Sequence, residues 1–523
     1  MDLLVIGGGI TGAGIARDAA MRGLSTILVE RDDLASGTSS RSSRLVHGGL
    51  RYLEQQKFHL VFEALRERRT LLRIAPHLVR PLDFFFPIHQ GDRLPLWKLA
   101  AGVAAYGALA QFRNVGRHRI LGKRGALAAE PLLRERGLQG AVIYTDAQCD
   151  DARLVIATAR SAIQHGALVA THTRVRELIF ADGRVCGAEV EDVLTGVRAS
   201  IDARVVINAT GPWTDHLRRL EDPDALPLLR PTRGVHIMVS RDRLGHRRAT
   251  AFLSPIDGRV MFVLPWGDLT YIGTTDTDAD DSPDRVRADG ADLLYLLRSV
   301  NARFPGAHLT EDDVRVTWAG LRPLLSGAAG ADASSLSREH AIVEGARGMI
   351  TVAGGKLTTY RSMAAEVVDT ALGKLGEQRP PAATDTEPLP GGETGELDSF
   401  RARGLEAGLP LAVVEHLLCL YGTEAAGIYN LGMATRSLFD LLHPAHCAVE
   451  AEVIHAARRE LAHTVEDVLV RRTHLYYETR DRGVRAADRV AALLGREHGW
   501  EPARIAEEAE RYRTFVAREP RTV

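Results

Sequence analysis

The amino-acid sequence predicts an α/β fold in three parts: a parallel sheet assembled from separated segments, an inserted mixed β-sheet domain and a C-terminal helical domain. Three observations support this. A strand, a glycine-rich turn, a helix and a second strand follow one another between Leu3 and Glu30. Short β-rich runs fill residues 227–325, between two later strands that also run into glycine-bearing turns, after Asn208 and after Ala353. Beyond the Pro- and Gly-rich stretch from Arg379 to Gly392 the chain reads helical to Val523, rich in Ala, Leu, Arg and Glu.

The first strand, Leu3-Leu4-Val5-Ile6, is uniformly apolar, as a strand buried on both faces must be. Glycines at 7, 9 and 12 in Gly7-Gly8-Gly9-Ile10-Thr11-Gly12 permit a tight turn, close backbone approach to a pyrophosphate and close packing of helix on strand. The small-residue helix after them presents free N–H groups and a positive dipole end to a diphosphate. Glu30 ends the second strand, where a carboxylate suits a ribose 2′-hydroxyl and repels the 2′-phosphate of NADP. A lone G-x-G-x-x-G is weak. Here the strands, helix and acid stand where a Rossmann-like nucleotide site requires them.

The basic, hydroxyl-rich loop from Arg31 to Arg44 would by itself read as a solvated linker. Directly after a nucleotide-binding strand pair, its hydroxyls, including Thr38, Ser39 and Ser43, are expected to hydrogen-bond a cofactor diphosphate. Next, His47, Arg51 and Tyr52 crowd around Gly48 and Gly49, which permit close approach to a planar ring. A helix is expected from Phe58 to Ile74, with Val61, Leu65, Leu71 and Leu72 buried. Residues Leu94 to Ala110 are small and apolar apart from Lys98, with Arg93, Arg113, Arg117, Arg119, Lys123 and Arg124 beside them. They read either as a buried core helix or as a helix lying in anionic headgroups.

A helix from Asp150 and a hairpin around Ala181-Asp182-Gly183 lead to the strand Val205–Asn208, whose Ala209-Thr210-Gly211 turn returns to the nucleotide. Asp276-Thr277-Asp278-Ala279-Asp280 lacks the glycine and glutamate of a calcium loop and reads as a solvated turn. Residues 326–335 read as a flexible loop, a candidate lid, with Arg338 just beyond. Ile350 to Gly354 is a final strand, turning at Gly354-Gly355-Lys356 into a helix with an apolar stripe from Tyr360 to Leu375. The expected division is 1–75, 150–222 and 341–378 for the nucleotide-binding domain, 76–149 and 223–340 for the substrate-facing domain, 379–397 for a linker, and 398–523 for the helical domain.

Composition is that of a globular protein, 45% hydrophobic and 25% charged, and a net charge of −1 gives no general reason to seek nucleic acid. Four scattered cysteines suggest reduced thiols, no leader is expected before the first strand, and no apolar run of spanning length is read. An intracellular protein is expected. His443, His446 and Cys447 lack a fourth ligand, so no metal is expected. Without G-x-S-x-G or a Walker sequence, hydrolase and NTPase readings are poor.

The first phosphate turn serves NAD and FAD equally. The second turn favours FAD, because a reduced flavin gains negative charge near N1 that a helix N-terminus and Lys356 can stabilise. Ile6–Gly14 with Asp18, Arg22 and Gly23, then His47-Gly48-Gly49-Leu50-Arg51-Tyr52-Leu53-Glu54, then Gly354-Gly355-Lys356-Leu357-Thr358-Thr359-Tyr360-Arg361 closely resemble the FAD-dependent glycerol-3-phosphate dehydrogenases. Thr464 to Thr473 extends the resemblance into the helical domain. It implies a D-amino-acid-oxidase-like FAD fold and oxidation of sn-glycerol 3-phosphate to dihydroxyacetone phosphate by hydride transfer from C2 to flavin N5. It further implies electrons passed to membrane quinone, peripheral contact with an anionic membrane through residues 94–124, and a cytoplasmic location at the inner face of the cell membrane. A homodimer is left open.

Chemically, Arg51, Arg322 and Arg338 suit a phosphate dianion. His47 and His236 are alternative bases for the C2 hydroxyl, and Tyr52 and Lys356 orient substrate oxygens. The expected catalytic set is His47, His236, Arg322 and Lys356. The expected cofactor set is Gly7, Gly9, Gly12, Glu30, Thr38, Ser39, Ser43, His47, Gly48, Gly49, Gly211, Gly355, Lys356, Leu357 and Thr358. The competing readings are an oxygen-reducing glycerol-3-phosphate oxidase, an amine or amino-acid oxidase, and a flavoprotein without turnover.

Overall fold

The computed structural model describes residues 1–49, 57–109, 116, 118–279, 282–326 and 339–518. Its first sheet runs, edge to edge, His340–Glu344, Ile350–Gly354, Val205–Asn208, Leu3–Ile6, Thr26–Val29 and Leu168–Ala170. Every pairing is parallel except the one between the first two strands. Successive side chains of a strand point to opposite faces, and both faces here are covered. Leu3 and Val5 join the core formed with the helices Ile10–Met21, Asp151–Gln164 and Tyr360–Leu375, while Leu4 and Ile6 face a three-stranded antiparallel sheet made by residues 173–202. Strands from distant parts of the chain thus close one nucleotide-binding sheet.

Among the described residues the second sheet has ten strands. The β-rich runs of residues 227–325 supply most of them, and Val79–His89 and Leu138–Cys149 extend the sheet. Val79–His89 bridges the two groups, antiparallel to Leu138–Cys149 and parallel to Ala249–Leu253. The helices Phe58–Ile74 and Leu96–Leu109 pack together beside this sheet. Leu99, Val103 and Tyr106 bury one face of Leu96–Leu109, while Trp97 is 72% exposed on the other. The helix is therefore neither wholly core nor wholly surface.

The stretch after Arg379 is anchored to the domain beneath it. Leu389 is fully buried, its N–H donates to Ile74 O at 2.8 Å, and Arg17 donates to the carbonyls of Thr384 and Glu387. Helices from Asp398 to Arg518 follow. Within them Leu411–Ala434 has the length and apolarity to cross a membrane, which the run-by-run reading missed because Glu415, His416 and Glu424 interrupt it. In the fold this stretch breaks at Gly422, which has φ +55°, and half of its most apolar window is buried.

Buried ion pairs fasten the helical domain to the nucleotide-binding sheet. Arg153 pairs both guanidinium nitrogens with Glu460 at 2.7 Å. His474 meets Asp150 at 2.6 Å, and His172 meets Asp467 at 3.0 Å. Asp33, three residues after Glu30, accepts from both Arg471 and Arg472.

Burial alone would lower the pKa of His172 and His416, but the carboxylates of Asp467 and Glu452 raise both. Burial would raise the two carboxyls, but the same histidines hold them below the usual range. A raised histidine stabilises below its unfolded pKa and loses that contribution as pH rises through the folded value. A depressed carboxyl stabilises above its unfolded pKa and loses it as pH falls. The melting temperature is expected to peak between about pH 4.5 and 6.5 and to decline on both sides. In thermal unfolding followed across this range, His416→Gln should flatten the alkaline limb.

Candidate active site

The first turn depends on backbone contacts that no side chain could enter. Gly7 has φ +115°, and a Cβ on it would lie 2.6 Å from Ala209 O; one on Gly12 would lie 1.9 Å from Gly7 O. The Glu30 carboxylate accepts from the N–H groups of Gly8 at 2.6 Å and Asp32 at 2.9 Å. Burial raises its pKa, and these two donors oppose the rise. Ser39 Oγ accepts from Ile10 N–H at 3.0 Å, fastening the hydroxyl-rich loop to the helix start, and Thr38 Oγ1 donates to Leu321 O at 2.7 Å, joining it to the second sheet.

These elements enclose a cavity of about 810 Å³. Its wall holds every expected cofactor residue except Gly12, Gly48 and Gly49. Gly12 stands behind the wall against Gly7. The N–H of Gly48 donates to Tyr106 Oη at 2.8 Å, and a Cβ there would lie 2.4 Å from that oxygen, so Gly48 serves core packing. Gly49 lines a second cavity of about 440 Å³, walled by Phe84, Phe86, Tyr144 and Phe262 and by the cations Arg93, Lys98, Arg259 and Arg322, with Asp146 and Asp276. Ser43, Leu45, His47 and Arg322 belong to both walls.

Arg322 is held rigidly. It donates to Asp276 Oδ1 at 3.1 Å, to Thr274 Oγ1 at 2.9 Å and to Thr275 O at 3.1 Å, and it lies over Gly234, where a Cβ would come within 2.3 Å of Nη2. The reading of residues 276–280 as a solvated turn is thus corrected at Asp276, which is buried and orients the site arginine. Sequence reasoning also missed Arg259, which donates to Asp276 O at 2.7 Å, and read Arg93 and Lys98 with a core or headgroup helix, not with a cavity. A single arginine at a strand start carries no local signal; only the sheet brings it to the cavity.

The two candidate bases separate. The backbone N–H of His47 donates to Thr358 Oγ1 at 3.2 Å, which holds this residue beside the Gly355 turn at the junction of the cavities. His236 lines neither cavity; it is buried behind Ser43 and stacked on Trp318 at 5.1 Å. Burial and the guanidiniums of Arg322 and Arg44 push its pKa down to about 3, which makes it a weak proton acceptor near neutrality. Lys356 lies on the wall of the first cavity. Arg51, Tyr52, Arg338 and the loop 327–335 lie outside the described residues.

The family of FAD-dependent oxidoreductases matches residues 2–361, and the C-terminal domain of alpha-glycerophosphate oxidase matches residues 382–505. Glycerol-3-phosphate dehydrogenase 2 of Mycobacterium tuberculosis is 40% identical, over 99% of this chain and 88% of that protein. The chain belongs to the FAD-dependent glycerol-3-phosphate dehydrogenase family. The glycerol-3-phosphate dehydrogenase of Bacillus halodurans, solved in complex with FAD, superposes with a TM-score of 0.83 at 32% identity, over 99% of this chain and 94% of that one. An L-alpha-glycerophosphate oxidase from Mycoplasma pneumoniae, at 19% identity and a TM-score of 0.56 over 74% of this chain and 98% of that one, shares the fold.

The first cavity suits the family's cofactor. With FAD bound there, Glu30 would meet a ribose, the helix N-terminus after Gly9 a diphosphate, and Lys356 with the turn at Leu357 the electron-rich edge of an isoalloxazine. Because a methyl group at position 12 would strike Gly7 O, Gly12→Ala is expected to lose FAD, lowering the flavin-to-protein absorbance ratio of the purified protein at least about tenfold.

Proposed function

We propose that this glycerol-3-phosphate dehydrogenase oxidises sn-glycerol 3-phosphate to dihydroxyacetone phosphate in the second cavity and passes the electrons to membrane quinone. The observation that carries the reading is the shared wall: His47 and Arg322 face the cofactor cavity and the cation-lined cavity together. Bound FAD supplies the hydride acceptor at N5. The cations of the second cavity suit a phosphate dianion, with Arg51, Tyr52 and Arg338 as further proposed ligands. Its aromatic wall limits water around the carbon skeleton. Arg322, fixed by Asp276 and Thr274, orients a substrate oxygen, and Lys356 serves at the cofactor side of the same oxygen. The imidazole of His47 takes the proton of the C2 hydroxyl.

Exposed aromatic rings support a peripheral membrane position. Phe58 (52%), Phe62 (41%) and Trp97 (72%) project from two packed helices beside Lys57 and Lys98, the composition of an interfacial surface. Trp97→Ala is expected to reduce co-sedimentation with anionic vesicles severalfold; full binding by this variant would count against that position.

Glycerol 3-phosphate added without oxygen should bleach the flavin band, and a soluble quinone should restore it faster than air does. Reoxidation by air at the turnover rate would instead make the enzyme an oxidase. An enzyme that stays oxidised would overturn the substrate assignment. His47→Ala should slow anaerobic flavin reduction about 10²–10⁴-fold with FAD retained.

A further inference from the structure

His236 is aimed by its strand. Its register places Trp318 on one side and Gly273 on the other. The Trp318 ring stacks on the imidazole with planes 9° apart, and a Cβ at Gly273 would lie 2.1 Å from its Cδ2. With glycine there, the ring reaches Ser43, whose Oγ lies 2.9 Å from Nε2. Nδ1 is buried and has no hydrogen-bond partner among the described residues. The loop carrying Ser43 is pinned as well: Tyr271 Oη donates to Ser43 O at 3.0 Å and Trp318 Nε1 to Ser42 O at 3.4 Å.

A neutral imidazole offers one N–H and one lone pair. Buried, and with the charges of Arg322 and Arg44 acting on it, His236 is neutral at physiological pH. A proton on Nδ1 would strand a buried N–H, whereas a proton on Nε2 leaves only a lone pair unfilled, and stranded buried donors are the rarer defect in folded proteins. The tautomer so assigned donates from Nε2 to Ser43 Oγ. The hydrogen of the Ser43 hydroxyl must then point elsewhere, and Ser43 is on the wall that the two cavities share.

We propose that His236 is a positioning residue that fixes the Ser43 hydroxyl as a hydrogen-bond donor to the C2 oxygen of the bound phosphorylated alcohol, and to the carbonyl oxygen of the ketone product. The donor meets the charge that builds on that oxygen as His47 removes its proton, so the proposal rests on the substrate and base assigned above.

The test uses the full-length, FAD-loaded enzyme. Ser43→Ala should lower kcat/KM for glycerol 3-phosphate about 10- to 100-fold. It should also weaken binding of dihydroxyacetone phosphate to the oxidised enzyme, read from the flavin absorbance, about tenfold. His236→Gln keeps an amide N–H near the place of Nε2 but cannot take a proton, and should stay within about threefold of wild type. Adding His236→Leu to Ser43→Ala should cost no more than about a further twofold, since the hydroxyl it positions is already gone. A His236→Gln enzyme that keeps its FAD and melting temperature yet loses a hundredfold would make His236 a base and overturn the proposal. Unaltered product affinity in Ser43→Ala would overturn it too. A wild-type enzyme left oxidised by glycerol 3-phosphate would instead remove the functional reading on which it stands.

Discussion

The architecture depends on one backbone approach. Gly7, Gly12 and Ala209 meet so closely that an added methyl at either glycine would overlap a carbonyl oxygen. The contact puts the helix Ile10–Met21 and the loop after Val205–Asn208 at one end of the sheet, where the Gly355 turn also arrives. Ligands of open parallel sheets gather beyond the carboxyl ends of the strands, and here three turns of distant sequence share that edge. Steric room fixes the cofactor site before any charge is placed in it.

The helical domain is fastened to that edge by ions with almost no solvent around them. Arg472 and Asp33 are both fully buried. Pairs of this kind contribute little net stability against an apolar replacement, but removing one partner costs about 3–5 kcal/mol because the other charge is stranded. Since Asp33 closely follows Glu30, a loosened helical domain would disturb the loop after the ribose carboxylate. The ion pairs thus tie the C-terminal domain to the loop beside the nucleotide site, although among the described residues it contributes none to either cavity wall.

What could be read from the sequence was what local pattern determines. The first strand, glycine turn and helix follow from their own residues, as do the helix Phe58–Ile74 and the stripe from Tyr360, whose Met363, Ala364, Val367 and Val368 are buried. The FAD requirement followed from two glycine turns whose chemistry is backbone chemistry. What could not be read was set by strand pairing across long separations. Whether His236 faces a cavity depends on its register against Trp318 and Gly273, not on its neighbours in sequence. Asp276 looks like a turn residue until Arg322, on a strand far away in sequence, is brought to it. The stretch 379–397 has a linker's composition, and only the fold reveals Leu389 under its surface.

Charge then divides the work among similar side chains. A cavity suited to a dianion must concentrate guanidiniums, and each cation nearby disfavours protonation of an imidazole. His236 is held neutral by burial and then by the charges of Arg322 and Arg44. A histidine so placed is a poor acceptor for the substrate's proton but a dependable donor to a neighbouring hydroxyl, since its tautomer is set by burial and does not change with bulk pH near neutrality. In the mechanism proposed above the acceptor's task falls to His47, which enters the junction on a different strand end, tied by its backbone to Thr358. On the proposed reading, two histidines that are equivalent in a list of residues become a base and an orienting donor because one lines both cavities and the other is buried behind Ser43.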